Sequence, residues 1–282
     1  MHDDDRFRQP RQQKGRGAGA AGGILVALGL IAAKFKVLLG VLLSFKWLIL
    51  APKLLLSFGS IFLSLWFYAI VFGWKFALVF VLQILVHEMG HYLTFRNFGV
   101  PVSLPLFVPG LGAFVSSPMT ADPARNAVAA LMGPVFGVAA AAACWGYALA
   151  SGDANAASGQ SFWLAAAYVG FFINLFNLIP AYPFDGGRIA GALDGRIWLL
   201  GVVLLLAWVV VFRHFTMFTL LIVIFVLMSS VPRAMAAWRG QVDPRERIAS
   251  SSQRAALALA YFVLIAIAVA GAAATMHHPV PA

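Results

Sequence analysis

The sequence predicts an all-α polytopic membrane protein with about seven transmembrane helices, an N-terminal interfacial helix and a short re-entrant strand or hairpin segment. Of its 282 residues, 62% are hydrophobic and only 11% are charged, whereas a soluble domain has about 25% charged residues. Several apolar runs reach the roughly 17–25 residues that a helix needs to cross a bilayer. These observations favour one membrane-embedded domain surrounded by lipid.

The formal net charge of +10 does not indicate a nucleic-acid partner, because the basic residues lie mostly between apolar runs and are not clustered with aromatic residues. Cytoplasmic loops that carry an excess of Lys and Arg produce such a distribution. If the N-terminus is cytoplasmic, only Lys75 and Arg213 fall on the outer side of the predicted spans. We therefore expect an integral protein of a bacterial-type inner or plasma membrane with this orientation.

The composition divides the chain into four regions. Residues 1–23 are polar and rich in Gly and Arg, which predicts a disordered cytoplasmic tail. Residues 24–53 are apolar but interrupted by Lys34, Lys36 and Lys46, which favours an interfacial amphipathic helix over a span. Residues 54–275 form the membrane domain and 276–282 a short tail. The predicted spans cover roughly 54–72, 75–96, 124–150, 161–182, 196–212, 214–231 and 254–275.

Two segments of the membrane domain are apolar but cannot form continuous helices. Residues 99–118 contain Pro101, Pro105 and Pro109, which exclude a regular helix. Non-helical backbone at membrane depth must be buried in protein or line a cavity, so this segment is predicted to be a re-entrant strand or hairpin. In the second segment, 174–187, the fourth span breaks at Pro180 and Pro183, and broken helices often mark binding sites in membranes.

The sequence ILVHEMGHYL, residues 84–93, places three ionisable groups inside an apolar run. His87 and His91 are four residues apart, so on a helix they share one face and can reach one Zn²⁺ ion. Glu88 is rotated off that face and can address a water molecule without binding the metal. A charged group at mid-helix costs at least about 2.5 kcal/mol on insertion scales, so such groups are functional by default.

A catalytic zinc ion needs a third protein ligand and an open position. Asp185 is the strongest candidate, since it follows the broken end of the fourth span and precedes two glycines that allow a close backbone approach. Asp122 and Asp194 lie near span ends and remain alternatives. An ordinary Asp-Gly turn is the competing interpretation of the residues around Asp185.

Two amides lie on one face of the fourth span, Asn174 and Asn177. Buried amides need partners, and contacts between helices explain such residues as well as a contact with a substrate or a developing oxyanion does. Spacing leaves these alternatives open. Asn177 is nearer the break and is the better candidate for a substrate-binding residue.

The motif HEMGH at 87–91, followed by NLIPAYPFDGG at 177–187, resembles the site-2 protease family of intramembrane zinc metalloproteases. The Gly-Pro in LMGPVFG, at 131–137, is similar to a feature of an intervening helix in that family. The resemblance implies one zinc ion per chain and assigns every predicted site residue. It makes His87, His91 and Asp185 the zinc ligands, Glu88 the catalytic acid/base and Asn177 the residue that holds the substrate backbone.

Two positions depart from the family pattern. Phe184 stands where the family usually has Leu, and an Asn that commonly follows the Gly-Pro is absent, with Gly137 or a neighbour in its place. The second departure bears on substrate handling and not on the metal ligands. The chain also resembles a compact form of the family without PDZ or CBS domains, so we expect the 99–118 segment to contact the substrate.

The residues and the resemblance together predict a zinc-dependent endopeptidase that hydrolyses peptide bonds of a membrane-protein substrate, a transmembrane helix, within or near the bilayer. Two other functions remain open. A zinc-binding, non-proteolytic membrane scaffold would show the same motifs, although an intact Glu88 argues against it. An ion transporter would use the broken span as its path, but the sequence shows no internal repeat between its halves.

Overall fold

The computed structural model describes residues 34, 36, 45–110, 112–153, 161–213, 216–248 and 250–276. The chain divides into two units, 1–54 and 55–282. The predicted tail at 1–23 and nearly all of the C-terminal tail lie outside the described residues, as does most of the predicted interfacial segment. The described part of that segment is helical from Phe45 onward and continues into the first predicted span. Its placement at the interface stays a prediction.

The described residues form eight helices and one two-stranded antiparallel sheet. The first helices are α1 (Phe45–Phe72) and α2 (Trp74–Asn97), which are followed by strands β1 (Leu106–Val108) and β2 (Gly112–Phe114). The remaining helices are α3 (Pro123–Ser151), α4 (Phe162–Asn177), α5 (Asp185–Leu193), α6 (Ile197–Val211), α7 (Met217–Trp238) and α8 (Ser251–Thr275). The predicted all-α class is therefore confirmed, with one short sheet.

Five described helices are long and apolar enough to cross a membrane, namely α1 from Pro52, α2, α3, α7 from Thr219, and α8. The predicted count of seven spans is not confirmed, because α4 and α6 are apolar but only 16 and 15 residues long. A helix rises about 1.5 Å per residue, so α4 and α6 cover less than the roughly 30 Å of a hydrocarbon core. The fourth span, predicted to reach residue 182, ends at Asn177 because prolines follow at 180 and 183.

Helix α3 is the centre of the packing, since it contacts α2, α4, α5 and α8. Its buried face consists mainly of small residues, and the cluster they form with neighbouring helices includes Ala127, Ala130, Ala141, Ala167 and Ala268. Small side chains let helix backbones approach closely inside a membrane. Large apolar side chains lie instead on the exposed surface of α1 and α7, as expected where lipid replaces water.

The 99–118 segment contains the strands β1 and β2, in agreement with the predicted strand or hairpin, whereas its depth in a bilayer stays a prediction. Leu106 pairs with Phe114, and Val108 pairs with Gly112. Helix α1 holds the outer edge of β1, because Ser60 Oγ accepts a hydrogen bond from the Phe107 N–H at 3.0 Å and Ser57 Oγ donates to the Pro105 carbonyl at 2.6 Å. The Phe107 N–H therefore points away from β2.

We expect Ser60→Ala to loosen this hairpin. The Phe107 N–H would lose its partner while Phe107 itself is buried, and an unsatisfied buried donor costs about 1–3 kcal/mol. Hydrogen exchange in detergent should show faster exchange at the amides of residues 106–108. Ser117→Ala is the control, because the Ser117 hydroxyl bonds only to the neighbouring Pro118 carbonyl. Equal exchange in both variants would contradict the proposed contact.

Candidate metal centre

Helix α2 carries two imidazoles that point the same way. His87 and His91 lie one helical turn apart, and each residue is only 5% exposed. Their Nε2 atoms are 3.2 Å from each other. The sequence expectation that the pair shares one helix face is confirmed by this geometry.

Asp185 is the first residue of α5 and approaches both imidazoles. Its Oδ2 atom lies 3.1 Å from His87 Nε2 and 3.2 Å from His91 Nε2. The turn that precedes α5 is anchored on α7, because Ser230 Oγ accepts from the Tyr182 N–H at 2.9 Å. The Trp198 indole, on α6, donates to the Gly187 carbonyl at 2.7 Å. These contacts bring the carboxylate to the histidine pair.

The hydrogen bonds on Nδ1 determine which tautomer each histidine adopts. His91 Nδ1 lies 2.8 Å from the Ala129 carbonyl, which can only accept, so Nδ1 carries the proton. His87 Nδ1 lies 2.8 Å from Asn174 Oδ1, and the Asn174 Nδ2 donates to the Gly170 carbonyl at 2.8 Å. The amide nitrogen therefore faces Gly170, and the amide oxygen accepts from His87.

With both rings in the neutral form that metal binding requires, three acceptor atoms face one another: two imidazole nitrogens and a carboxylate oxygen. Such an arrangement is repulsive unless a metal cation or a proton lies between the atoms. Tetrahedral zinc with ligand distances of about 2.0–2.1 Å needs donor atoms about 3.3 Å apart, and the observed separations of 3.1–3.2 Å come close to this value. Among the described residues, these three form the group that could hold a metal ion.

Glu88 adjoins this group without being part of it. Its side chain is buried, with the residue 5% exposed. It interacts electrostatically with His87, His91 and Asp185, and the backbone of Val115, just after β2, contributes a hydrogen bond to it. A carboxylate beside a metal group, held by a backbone donor, is suited to general acid/base chemistry.

A glycine on α3 makes room for the second histidine. A Cβ atom on Gly133 would overlap the imidazole ring of His91, with Cδ2 at 2.8 Å, and the Gly90 position on α2 similarly faces the backbone of Met132. Any side chain at 133 would push the ring away from Asp185. The glycine of the Gly-Pro pair on α3 therefore provides the space that the His91 ring occupies.

The remaining candidates lie elsewhere. Asp122 caps the N-terminus of α3 and accepts from the Ala124 N–H at 2.8 Å, while Asp194 lies beside Arg196. Neither joins the metal-binding group. Asn177, the last residue of α4, is half-buried and makes no contact with the histidines among the described hydrogen bonds. Sequence reasoning missed that Asn174, and not Asn177, contacts His87, because spacing along α4 does not show which amide faces α2.

The sequence model of peptidase family M50, the family of the site-2 proteases, matches residues 75–153 and 147–198. Over residues 75–198 the chain is thus similar to peptidase family M50. Both halves of the metal group lie within the M50 region. Among curated proteins, none matches the chain significantly. This similarity indicates a metallopeptidase, and together with the five apolar helices of spanning length among the described residues it supports an integral membrane protein.

The turn that precedes Asp185 is also held by α7 and by the loop between α7 and α8. The Tyr182 hydroxyl donates to Glu246 Oε1 at 3.3 Å, and the Arg233 guanidinium lies over the Tyr182 ring, 4.7 Å from its centroid. Burial raises the pKa of the Glu246 carboxyl above its ordinary value. Between the unfolded and the folded pKa, the folded state thus binds more protons than the unfolded state.

For this reason, we expect Glu246 to lower stability as pH rises from about 4.3, the ordinary pKa of Glu, through its raised folded value. Glu246→Gln, which keeps an acceptor for Tyr182, should remove this slope. The effect should stay below about 1 kcal/mol because Glu246 is half-exposed. Thermal unfolding at a series of pH values measures it.

Asp243→Asn is the matched control for this pH series. Hydrogen bonds from Arg245 lower the pKa of Asp243, so this carboxylate contributes stability at higher pH that is lost as pH falls. Its removal should change the pH slope in the direction opposite to that of Glu246→Gln. Identical slopes in the wild type and Glu246→Gln would show that Glu246 is not coupled to folding.

Proposed function

We propose that this protein is a zinc-dependent intramembrane endopeptidase of the site-2 protease type, which hydrolyses peptide bonds of a transmembrane-helix substrate within or near the bilayer. The observation that carries the proposal is the convergence of His87 Nε2, His91 Nε2 and Asp185 Oδ2 within 3.2 Å of one another beside Glu88. The similarity of residues 75–198 to peptidase family M50 supports it.

The three acceptor atoms would hold one zinc ion, which when bound supplies a Lewis acid and lowers the pKa of a coordinated water towards about 7. Glu88 then accepts a proton from the attacking water and delivers it to the departing amine nitrogen. Its burial keeps competing water away, and the backbone hydrogen bond from Val115 holds it in place. The same residue serves both proton transfers, so further acid or base is not needed.

The hairpin supplies the surface for the substrate backbone in this proposal. Because the Phe107 N–H points to Ser60 on α1, the opposed residue Ala113 also directs its N–H and C=O away from β1. Two residues further, Val115 on the same edge bonds to Glu88. A substrate strand that pairs with this edge would thus lie next to the catalytic glutamate. Asn177 would contact the substrate backbone from α4.

The membrane orientation of the proposal follows from the same elements. Arg96 lies one turn after His91, near the end of α2, and basic residues concentrate on the cytoplasmic side. The site would therefore be nearer the cytoplasmic face of an inner or plasma membrane. The N-terminus would lie on that side as well.

Glu88→Gln is the decisive variant. It should retain about one zinc ion per chain, since Glu88 is not a ligand, and should lose cleavage of a membrane-helix reporter by at least about 10²-fold, the lower range for a general acid/base. His87→Ala should lose the metal itself. Metal analysis of purified protein and a cleavage assay in proteoliposomes measure both quantities.

Two outcomes would overturn the proposal. An unchanged metal content in His87→Ala would show that the site is elsewhere. A wild-type protein that binds zinc but cleaves none of a broad panel of membrane helices would favour the non-proteolytic scaffold.

We expect Ala113→Pro to weaken substrate cleavage by raising KM. Proline removes the outward N–H but keeps the pairing of Leu106 with Phe114, and edge strands tolerate it where the N–H faces outward. Ala113→Ser, which keeps the N–H at similar volume, is the control. Zinc content should stay unchanged in both variants, and equal KM values for the two would contradict pairing at this edge.

A further inference from the structure

The Asn174 amide is buried between three helices and every polar atom of it has a partner. The residue is 2% exposed. Its oxygen accepts from His87 on α2, and its nitrogen donates to the Gly170 carbonyl one turn earlier on its own helix. Since both contacts are 2.8 Å long, the amide cannot turn around without placing two donors or two acceptors against each other.

The orientation of this amide determines the tautomer of the His87 imidazole. While Asn174 Oδ1 accepts the proton on His87 Nδ1, the other nitrogen keeps its lone pair directed at Asp185 and His91. Without the amide, the buried Nδ1–H would have no partner, and the ring could move its proton to Nε2 or rotate. Either change would remove a donor atom from the metal-binding group.

The second histidine does not depend on a side chain in this way. His91 Nδ1 donates to the Ala129 carbonyl, which belongs to the α3 backbone. Substitution of Ala129 leaves that carbonyl in place. Within the pair, His87 is thus the imidazole whose orientation rests on a single replaceable side chain.

Helix α3 leaves a space for the amide. A Cβ atom on Gly137 would lie 2.5 Å from both Cγ and Nδ2 of Asn174, far inside van der Waals contact. Gly146 on the same helix has no atom within 4 Å of such a Cβ. A glycine within a helix costs about 1 kcal/mol relative to alanine, and at 137 the close approach of α4 accounts for it.

We propose that Asn174 is a positioning residue that holds His87 as a metal ligand, and that Gly137 provides the space in which its amide lies. The inference rests on the proposed function in one respect, that the bound ion is zinc. It assigns to Asn174 a role in metal affinity that is separate from substrate contact, which we place at Asn177.

The first experiment measures zinc affinity of the full chain in detergent by competition with a chelator. Asn174→Ala should weaken zinc binding about 10–100-fold, as the loss of a hydrogen-bond partner of a ligating histidine does. Asn177→Ala is the matched control: the same substitution, one turn further along α4, should leave the zinc Kd unchanged. Co²⁺ bound in place of zinc should show a changed visible spectrum in Asn174→Ala alone.

The second experiment perturbs the hydrogen bond between His87 and Asn174 by a substitution on α3. Gly137→Ala should also weaken zinc binding about 10-fold or more, because its methyl group displaces the amide, whereas Gly146→Ala should have no effect. In the Asn174→Ala background, Gly137→Ala should weaken zinc binding no further. Such non-additivity is expected when two substitutions remove one interaction.

Two results would overturn this inference while leaving the proposed function intact. One is a wild-type zinc Kd in Asn174→Ala, and the other is full additivity of the two substitutions. A wild-type chain that binds no zinc would instead refute the proposed function itself. Because Gly137→Ala keeps every polar group, it tests the inference even if Asn174→Ala fails to fold.

Discussion

The meeting of three acceptor atoms is the interaction on which the rest of the structure depends. With both imidazoles neutral, as metal binding requires, their two nitrogens and the carboxylate oxygen repel one another at 3.1–3.2 Å unless a cation lies between them. Their proximity must therefore be maintained by the helices that carry them. The packing of α3 against α2, α4 and α5 keeps the three atoms close together.

Close helix packing in turn depends on glycines, which have no side chain. Gly133 lies against the imidazole of His91, and Gly137 lies against the amide of Asn174. The departure of position 137 from the site-2 protease pattern thus has a physical reason in this chain, since any side chain there would occupy the place of the Asn174 amide. We therefore connect the departure with the metal-binding group through Asn174, while its effect on substrate handling stays a prediction.

The hairpin joins the metal centre to the surface that we propose for the substrate. One edge of it is held by hydroxyl groups of α1, and the opposite edge contains the backbone group that bonds to Glu88. A rigid edge next to a buried carboxylate is a suitable place for an extended backbone. The prolines that prevent a helix in this segment leave a strand edge, unpaired among the described residues, within reach of Glu88.

Local patterns in the sequence determined the candidate ligands and their order along the chain. The i, i+4 spacing of the histidines and the proline-broken segment before Asp185 depend on helix geometry and backbone sterics alone, and both were predicted. Local patterns did not reveal whether α4 and α6 span a bilayer, because the ends of a helix depend on its neighbours.

The tertiary structure alone decided that Asn174, and not Asn177, contacts His87. Two amides three residues apart occupy nearly the same face of a helix, so their spacing cannot distinguish them. Their contacts differ because α2 approaches α4 at the level of one amide only. The composition and local spacing of this chain therefore determine a membrane protein with paired metal-binding motifs, while the packing of α2, α3 and α4 determines which polar group orients each ligand.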